Sequence, residues 1–455
     1  MNKKKIFKIF VVFFLFIYLL PLMSIAQRTG YSKEEFINRR NALMNQAGKG
    51  LIILFAEARY IRSTDLTPGA HFRQDNDFYY FTGNEDQFAI LVMVTKTMES
   101  YLFMPDQTER EIMVDGPNWL NDNKAKEKSG LTDIYALSYF DEFLSRNLNG
   151  QTLYLRLTPR GTQTLFARRS KSHYNAQISL DNYRLERLRK IYPAAEMKDV
   201  TPFIDSLRLI KTDEEIEVLR RIGRISAEGI KQAMLATRPG GFEYEAEAAA
   251  KSVILKHGAR GPGYPPIVGS GPNSCYWHYS KNSRKMEEGD LVLMDFGGDL
   301  DYMIVDITRT WPVSGKFTPE QKEAYKVALE IQKACIEAYA PGVTVEDVKD
   351  HVAEVLERKG IDVPEEIAHC GPAERPGTIG HYVGMAVHDV GERGIPLREG
   401  MVFAIEPGIY YPEKNMGIRI EDTVLITENG CENLTKNVPK EIEEIEELMS
   451  GRKKK

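Results

Sequence analysis

Cysteine is scarce in this 455-residue chain: Cys275, Cys335, Cys370 and Cys431 are the four, and no two stand at the short spacing of a zinc knot or a disulfide framework. Their plain reading is buried or free thiols. An oxidising compartment would permit three complete pairings, among which the sequence does not choose. A strong charge of one sign is missing as well. Sixty Lys+Arg against 65 Asp+Glu leave a formal net charge of −5, which gives no sign of a surface built for nucleic acid. Low-complexity sequence is absent apart from a charged stretch over 440–455, expected as a solvated helix. Beyond the N-terminal residues no apolar run is long enough to cross a membrane. What remains is ordinary globular composition, 42% hydrophobic and 27% charged, enough for two to three domains with cores of their own.

The N-terminus carries the one long apolar run. Lys3, Lys4, Lys5 and Lys8 precede the run Ile9 to Leu20, and Ser24-Ile25-Ala26 offers small residues before Gln27. A basic start, a short apolar centre and a small-residue site are the parts of a secretory signal peptide. Cleavage after Ala26 is expected, leaving an exported protein, periplasmic or secreted, with no stable membrane anchor. An uncleaved anchor is the alternative, with Pro21-Leu22-Met23 lengthening the run. No cysteine lies near the site, which argues against a lipoprotein.

Short continuous apolar runs at Gly50–Phe55, Phe88–Val94, Ser100–Met104 and Thr152–Leu157 predict strands buried on both faces, separated by stretches long enough for helices. The N-terminal third therefore reads as α/β. The string Arg73-Gln74-Asp75-Asn76-Asp77-Phe78-Tyr79-Tyr80-Phe81-Thr82-Gly83 reads as a polar turn feeding an aromatic edge, with packing as its plain role. Between Ala195 and Pro202 the pattern changes. Thr212 and Glu215 form a capping box, and Ile216, Leu219, Ile222, Ile230 and Ala233 follow at helical spacing until Pro239-Gly240-Gly241, so a long helix opens the second domain.

The chemistry lies further on. Two strand-like runs, Asp290–Asp295 and Tyr302–Thr310, flank a Gly-rich turn, and a hairpin centred between Leu300 and Asp301 would set Asp295 opposite Asp306 on one face. A second hairpin through Pro412–Asn415 would set Glu406 opposite Glu421, with Arg419 on the same side. Carboxylates paired inside apolar strands repel one another and lose hydration unless a cation lies between them. Two such pairs in one domain point to a shared charged ligand. His381 and His388 lie between the hairpins in a small-residue setting, and His278 follows Gly269-Ser270-Gly271, a fragment without the Lys-Ser/Thr of a phosphate loop. Four carboxylates with one imidazole hold too few nitrogens for a typical mononuclear zinc site and too many anions for one divalent ion. Two divalent ions are the economical answer, and such sites are built for hydrolysis.

These motifs resemble the pita-bread metallopeptidases, and within them Xaa-Pro aminopeptidase (aminopeptidase P), over nearly the whole chain from Arg73–Gly83 to Glu432-Asn433-Leu434-Thr435. The resemblance implies an α/β (α+β) fold. Its parts are a signal peptide (1–26), a creatinase-like N-terminal α/β domain (27–197), a C-terminal pita-bread metallopeptidase domain (198–449) and a basic tail (450–455). Asp295, Asp306, His381, Glu406 and Glu421 match the five metal-ligand positions in order. The resemblance implies a dinuclear manganese site in which Asp306 and Glu421 bridge, Asp295 completes one ion, and His381 with Glu406 completes the other. A bridging hydroxide attacks the carbonyl, and Glu406 handles the proton. His278 and His388 match positions that hold the scissile group, as imidazole donors beside a developing oxyanion do. Arg419 matches a site residue that meets a substrate carboxylate or steadies Glu421. The implied substrates are peptides with proline at the second position, and relatives are commonly dimers or tetramers.

One departure stands out. Family members usually carry His-Gly four residues before the ligand histidine, and this chain has Gly377 there, which bears on proline selectivity more than on metal binding. The loop between Glu406 and Glu421 is also short for the family. The competing readings are an Xaa-Pro dipeptidase, an aminopeptidase of relaxed specificity, and a metal-free binding protein of the same fold.

Overall fold

A computed structural model describes residues 30–57, 72–148, 150–157, 180–363, 368–369, 379–392 and 394–451. The expected leader and Gly377 lie outside them. The chain forms two compact units, Gly30–Glu215 with Val390–Glu392, and Ile216–Asp389 with Arg393–Lys455. The boundary expected after residue 197 thus falls within the first unit, which continues through the helix Thr201–Leu209. Glu215 belongs there because it is ion-paired with Arg39 at 3.0 Å. Glu215 also closes the expected capping box on Thr212, and the helix runs Asp213–Ala236.

In the first unit, β1 (Gly50–Phe55), β2 (Ile90–Val94), β3 (Glu99–Met104), β4 (Asp133–Ala136), β5 (Thr152–Leu155) and β6 (Met197–Asp199) make one mixed sheet in the order β4-β3-β2-β1-β5-β6. All four expected runs are strands, with trimmed ends: Phe88 has a left-handed φ of 63° and precedes β2. Leu51, Ile53, Val92, Phe103 and Leu153 share a core with Phe140, Phe143 and Leu144 of the helix Phe140–Asn147 and with Leu185 and Leu188 of the helix Leu180–Ile191. Each such side chain contributes about 1.5–3 kcal/mol by leaving water.

The aromatic string is not an edge but a helix, Asn76–Thr82. Asp75 caps it by accepting from Phe78 N, and Gly83 ends it at φ 65°. Its residues do pack: Tyr80 lies under the Arg39 guanidinium at 4.1 Å, and buried Asp77 takes Arg208 at 2.6 Å and Arg156 at 2.8 Å. Local capping decided the backbone here, where an apolar-run reading had no helical period to find in seven residues.

Among its described residues the second unit holds thirteen strands: β7 (Gly261–Pro262), β8 (Ile267–Ser270), β9 (Leu291–Asp295), β10 (Gly298–Leu300), β11 (Met303–Ile304), β12 (Thr308–Pro312), β13 (Ala368–His369), β14 (Gly380–Tyr382), β15 (Val402–Ile405), β16 (Gly408–Tyr411), β17 (Met416–Arg419), β18 (Asp422–Thr427) and β19 (Gly430–Asn433). They form small sheets, among them β12-β9-β8, β13-β16-β17 and β14-β15-β18-β19. The long helices Asp213–Ala236, Glu243–Lys256, Pro319–Ala338 and Val345–Lys359 accompany them. The expected solvated helix near the C-terminus is instead amphipathic: Ile442–Ser450 buries Ile442, Ile445 and Met449.

The first acidic hairpin turns one position later than expected, which shifts its pairing by two. Asp301 and Tyr302 occupy its tip with φ of 47° and 68°, the paired left-handed conformations of a tight hairpin turn. Asp295 therefore pairs with Thr308, not Asp306. Because a strand alternates faces every residue, a shift of two leaves Asp306 on the same face, diagonal to Asp295.

The second hairpin keeps its expected register. β15 pairs with β18 as Ile405↔Asp422, and β16 pairs with β17 as Gly408↔Arg419, so Glu406 and Glu421 fall opposite each other where the ribbon passes from one sheet to the next.

Candidate metal centre

Three walls carry the acidic residues. β9 ends at Asp295, the link into β12 holds Asp306, and the crossing of the second ribbon holds Glu406 and Glu421. β14 brings His381. Close approach by β14 requires glycine at its first position, since a Cβ on Gly380 would lie 1.7 Å from the Ala404 carbonyl oxygen.

One ligand atom each from Asp306, His381 and Glu421 lies within 4.8 Å of the others, a spacing that one ion can span. His381 Nε2 lies 3.4 Å from Asp306 Oδ2 and 3.6 Å from Glu406 Oε1. Asp295 joins through Arg419, whose Nη2 donates to Asp295 Oδ2 at 2.5 Å. All five expected ligands thus surround one buried volume.

The electrostatics are those of a site suited to a cation. Burial, then Asp306, pushes the Asp295 carboxyl well above its usual range. Burial, with Asp306, Glu406 and Asp295, does the same to Glu421. Asp306 moves down although burial opposes it, because His381 and Tyr264 donate to it. His381 rises to about 9: burial works against the imidazolium, and Asp306 and Glu406 outweigh it. Asp295 Oδ1 and Glu421 Oε1 are buried and receive no hydrogen bond from the described residues. Buried carboxylate oxygens without donors are costly, and they fit divalent cations, which take oxygen ligands. The residues present therefore suit the group that the sequence motifs imply.

Sequence reasoning passed over two neighbours. Tyr264 donates its hydroxyl to Asp306 Oδ1 at 2.5 Å. Thr308 donates to Glu421 Oε2 at 2.6 Å and accepts from Arg419 Nε at 2.9 Å. Thr308 was legible, standing two residues from Asp306 on the same strand face, whereas Tyr264 carries no local signal.

The remaining expected residues divide. Arg419 is 2% exposed and gives its guanidinium to Asp295, Thr308 and, at 3.5 Å, the Trp277 carbonyl. That geometry suits the steadying role, acting on Glu421 through Thr308. His388 is exposed and meets His381 edge to face, with ring centres 4.3 Å apart. His278 is exposed in the loop after β8, next to the residue whose carbonyl Arg419 reaches.

Behind the centre, Arg309 and Asp422 form an ion pair at 2.6 Å with neither side chain exposed. Asp422 also accepts from Gln332, Thr435 and Lys440, and Arg309 Nη1 donates to the Glu421 carbonyl. Replacing Arg309 by methionine takes the fully buried cation from Asp422 and leaves it paired with Lys440, and we expect about 3 kcal/mol of lost stability by urea denaturation. A loss below about 1 kcal/mol would contradict this account of the pair.

Such a constellation on paired β-ribbons defines a metallohydrolase. The sequence matches Metallopeptidase family M24 over residues 217–428 and the aminopeptidase P N-terminal domain over residues 36–155. It is 37% identical over 458 residues to Xaa-Pro aminopeptidase of Escherichia coli strain K12, covering 93% of this chain and 99% of that one. It is 34% identical to Xaa-Pro aminopeptidase of Haemophilus influenzae, covering 94% and 100%. The structure superposes on E. coli aminopeptidase P with the inhibitor Pro-Leu at a TM-score of 0.79 and 35% identity, covering 93% and 99%. The chain belongs to metallopeptidase family M24, in its aminopeptidase P branch, and is a hydrolase.

Proposed function

We propose that this enzyme releases the N-terminal residue from peptides with proline at the second position, using a dinuclear divalent centre, manganese by preference, with a bridging hydroxide as nucleophile. The observation that carries this reading is the convergence of Asp295, Asp306, His381, Glu406 and Glu421 on one volume whose buried carboxylate oxygens lack donors. The relatives from Escherichia coli and Haemophilus influenzae, matched over 93% and 94% of this chain, are each named Xaa-Pro aminopeptidase, which supports the substrate class.

When bound, divalent ions in such a site supply a water acidic enough to attack at neutral pH and polarise the scissile carbonyl. Asp295, Asp306, His381, Glu406 and Glu421 would hold these ions, with Asp306 and Glu421 shared between them. Glu406 takes the proton and delivers it to the leaving amine. His278 and His388 donate to the oxygen of the carbonyl under attack, where charge develops. Arg419 keeps Asp295 in place, and Asp295 receives the substrate amine, which limits cleavage to the first residue.

Lys3 to Ala26 support export, and the working form is a homo-oligomer, a dimer or tetramer. The test uses protein recovered from the exported fraction, its N-terminus read by mass spectrometry, with manganese and the peptides Xaa-Pro-Yaa, Xaa-Ala-Yaa and Xaa-Pro. Release from Xaa-Pro-Yaa alone, by a chain beginning at Gln27, is the expected result. Equal release from Xaa-Ala-Yaa overturns proline selectivity and implicates Gly377. Release from the dipeptide alone gives the dipeptidase reading, and no release from any peptide gives the binding-protein reading.

A further inference from the structure

Glu243 lies in none of the expected site motifs. It is the first residue of the helix Glu243–Lys256, it is 0% exposed, and its carboxylate is the hub of the loop that presents His278. Oε1 accepts from Ser270 N at 2.7 Å, Ser270 Oγ at 2.8 Å and Asn273 Nδ2 at 3.2 Å. Oε2 accepts from Tyr279 Oη at 2.9 Å and Arg284 N at 2.8 Å. The chain thus enters the loop on one oxygen and leaves it on the other. Asn273 and Tyr279 fix the two sides of the stretch that carries Cys275, Tyr276, Trp277 and His278.

A second anchor ties this stretch to β17. Gly417 N donates to Ser274 Oγ at 2.8 Å, and a Cβ on Gly417 would lie 2.1 Å from the Ser274 carbonyl oxygen. On the same strand Arg419 reaches the Trp277 carbonyl. His278 itself is exposed, on the stretch that these anchors hold.

We infer that Glu243 is a positioning residue for His278, holding the loop Ser270–Arg284 in the one conformation that aims this imidazole at the reacting carbonyl. The inference rests on the role given to His278 above. The chemistry at position 243 is specific. Each carboxylate oxygen faces a backbone N–H, which cannot turn away, so an amide NH2 on either side would set donor against donor. Glutamine, isosteric as it is, cannot satisfy both.

A double-mutant cycle on the full-length enzyme tests this, with Glu243→Gln, His278→Ala and the pair assayed on Xaa-Pro-Yaa with manganese. Glu243→Gln is expected to lower kcat about 100-fold, the scale of misplacing a catalytic group by about 1 Å, with KM changed less. In the His278→Ala background the same change is expected to cost less than about 3-fold, because residues acting through one group are not additive. Manganese affinity by calorimetry stays at the wild-type value, while amide exchange over 270–284 accelerates.

If Glu243→Gln folds poorly, Tyr279→Phe removes one donor from the same carboxylate. Its expected loss is about 3- to 10-fold, the scale of one hydrogen bond, and it too disappears in the His278→Ala background. Equal losses in both backgrounds, or lost manganese binding, overturn the positioning role and leave the proposed function standing. A wild-type enzyme inactive on Xaa-Pro-Yaa, or His278→Ala at full rate, overturns the reading on which the inference rests.

Discussion

Replacing Glu406 by glutamine abolishes peptide hydrolysis while the fold survives. Glu406 stands 3.6 Å from His381 with 19% of its side chain exposed, at the edge of the acidic cluster and open to a substrate. Glutamine has nearly the same shape and hydrogen-bonds through the ribbon backbone unchanged. Glu406 N donates to the Ile379 carbonyl in either case. What disappears is an anion that both contributes to cation binding and takes up a proton. General-base catalysis alone is worth about 10²- to 10⁴-fold. Weakened metal affinity adds to it, so we expect a fall in kcat/KM of at least about 10³-fold. Steady-state rates at saturating manganese, with circular dichroism for the fold, check this. A variant within tenfold of wild type would remove Glu406 from the chemistry.

The second large effect concerns the protein without substrate. Asp295, Asp306, Glu406 and Glu421 crowd together, and burial first, then the neighbouring carboxylates, push Asp295 and Glu421 upward despite Arg419. A ligand that binds only the folded state stabilises it by about 2.7 kcal/mol at one hundred times its Kd. For a domain of this size that corresponds to roughly 5–10 °C in melting temperature. Manganese added to chelator-treated protein should raise Tm by that amount. Glu421→Gln should lose most of the gain, since the variant offers one anion fewer and Thr308 still holds its side chain. A shift below about 1 °C with manganese, zinc and cobalt alike would contradict a metal centre here.

The sequence carried these expectations unevenly, for physical reasons. Strand alternation is a parity rule, so it survived a wrong guess about the turn: Asp306 kept its face although Asp295 pairs with Thr308. The turn itself depended on Asp301 and Tyr302 adopting left-handed conformations that favour glycine, so neither announced it. The second hairpin was legible because Glu406 and Glu421 flank a short tip with one natural register. Tyr264 and Glu243 were not legible. Each acts through hydrogen bonds to residues brought near by the fold, Tyr264 to Asp306 and Glu243 to Ser270 through Arg284, and no local period or charge pattern marks such a partner. The N-terminal core was read from strand runs, yet the short helix Asn76–Thr82 was misread because Asp75 and Gly83 fix it from its ends.

The crossing point of the second ribbon has a mechanical consequence. Glu406 and Glu421 occupy the seam between two sheets, and their backbone amides bond out of the ribbon, Glu406 to Ile379 and Glu421 to Thr308. The seam is therefore clamped by backbone outside the ribbon, at Ile379 just before β14 and at Thr308 in β12. Sliding one strand of the ribbon past the other would tear both clamps, whereas the tip at Pro412–Asn415 hangs beyond them. Changes of length or sequence at that tip are absorbed before they reach the carboxylates, so the turn can vary while the acidic floor stays in register.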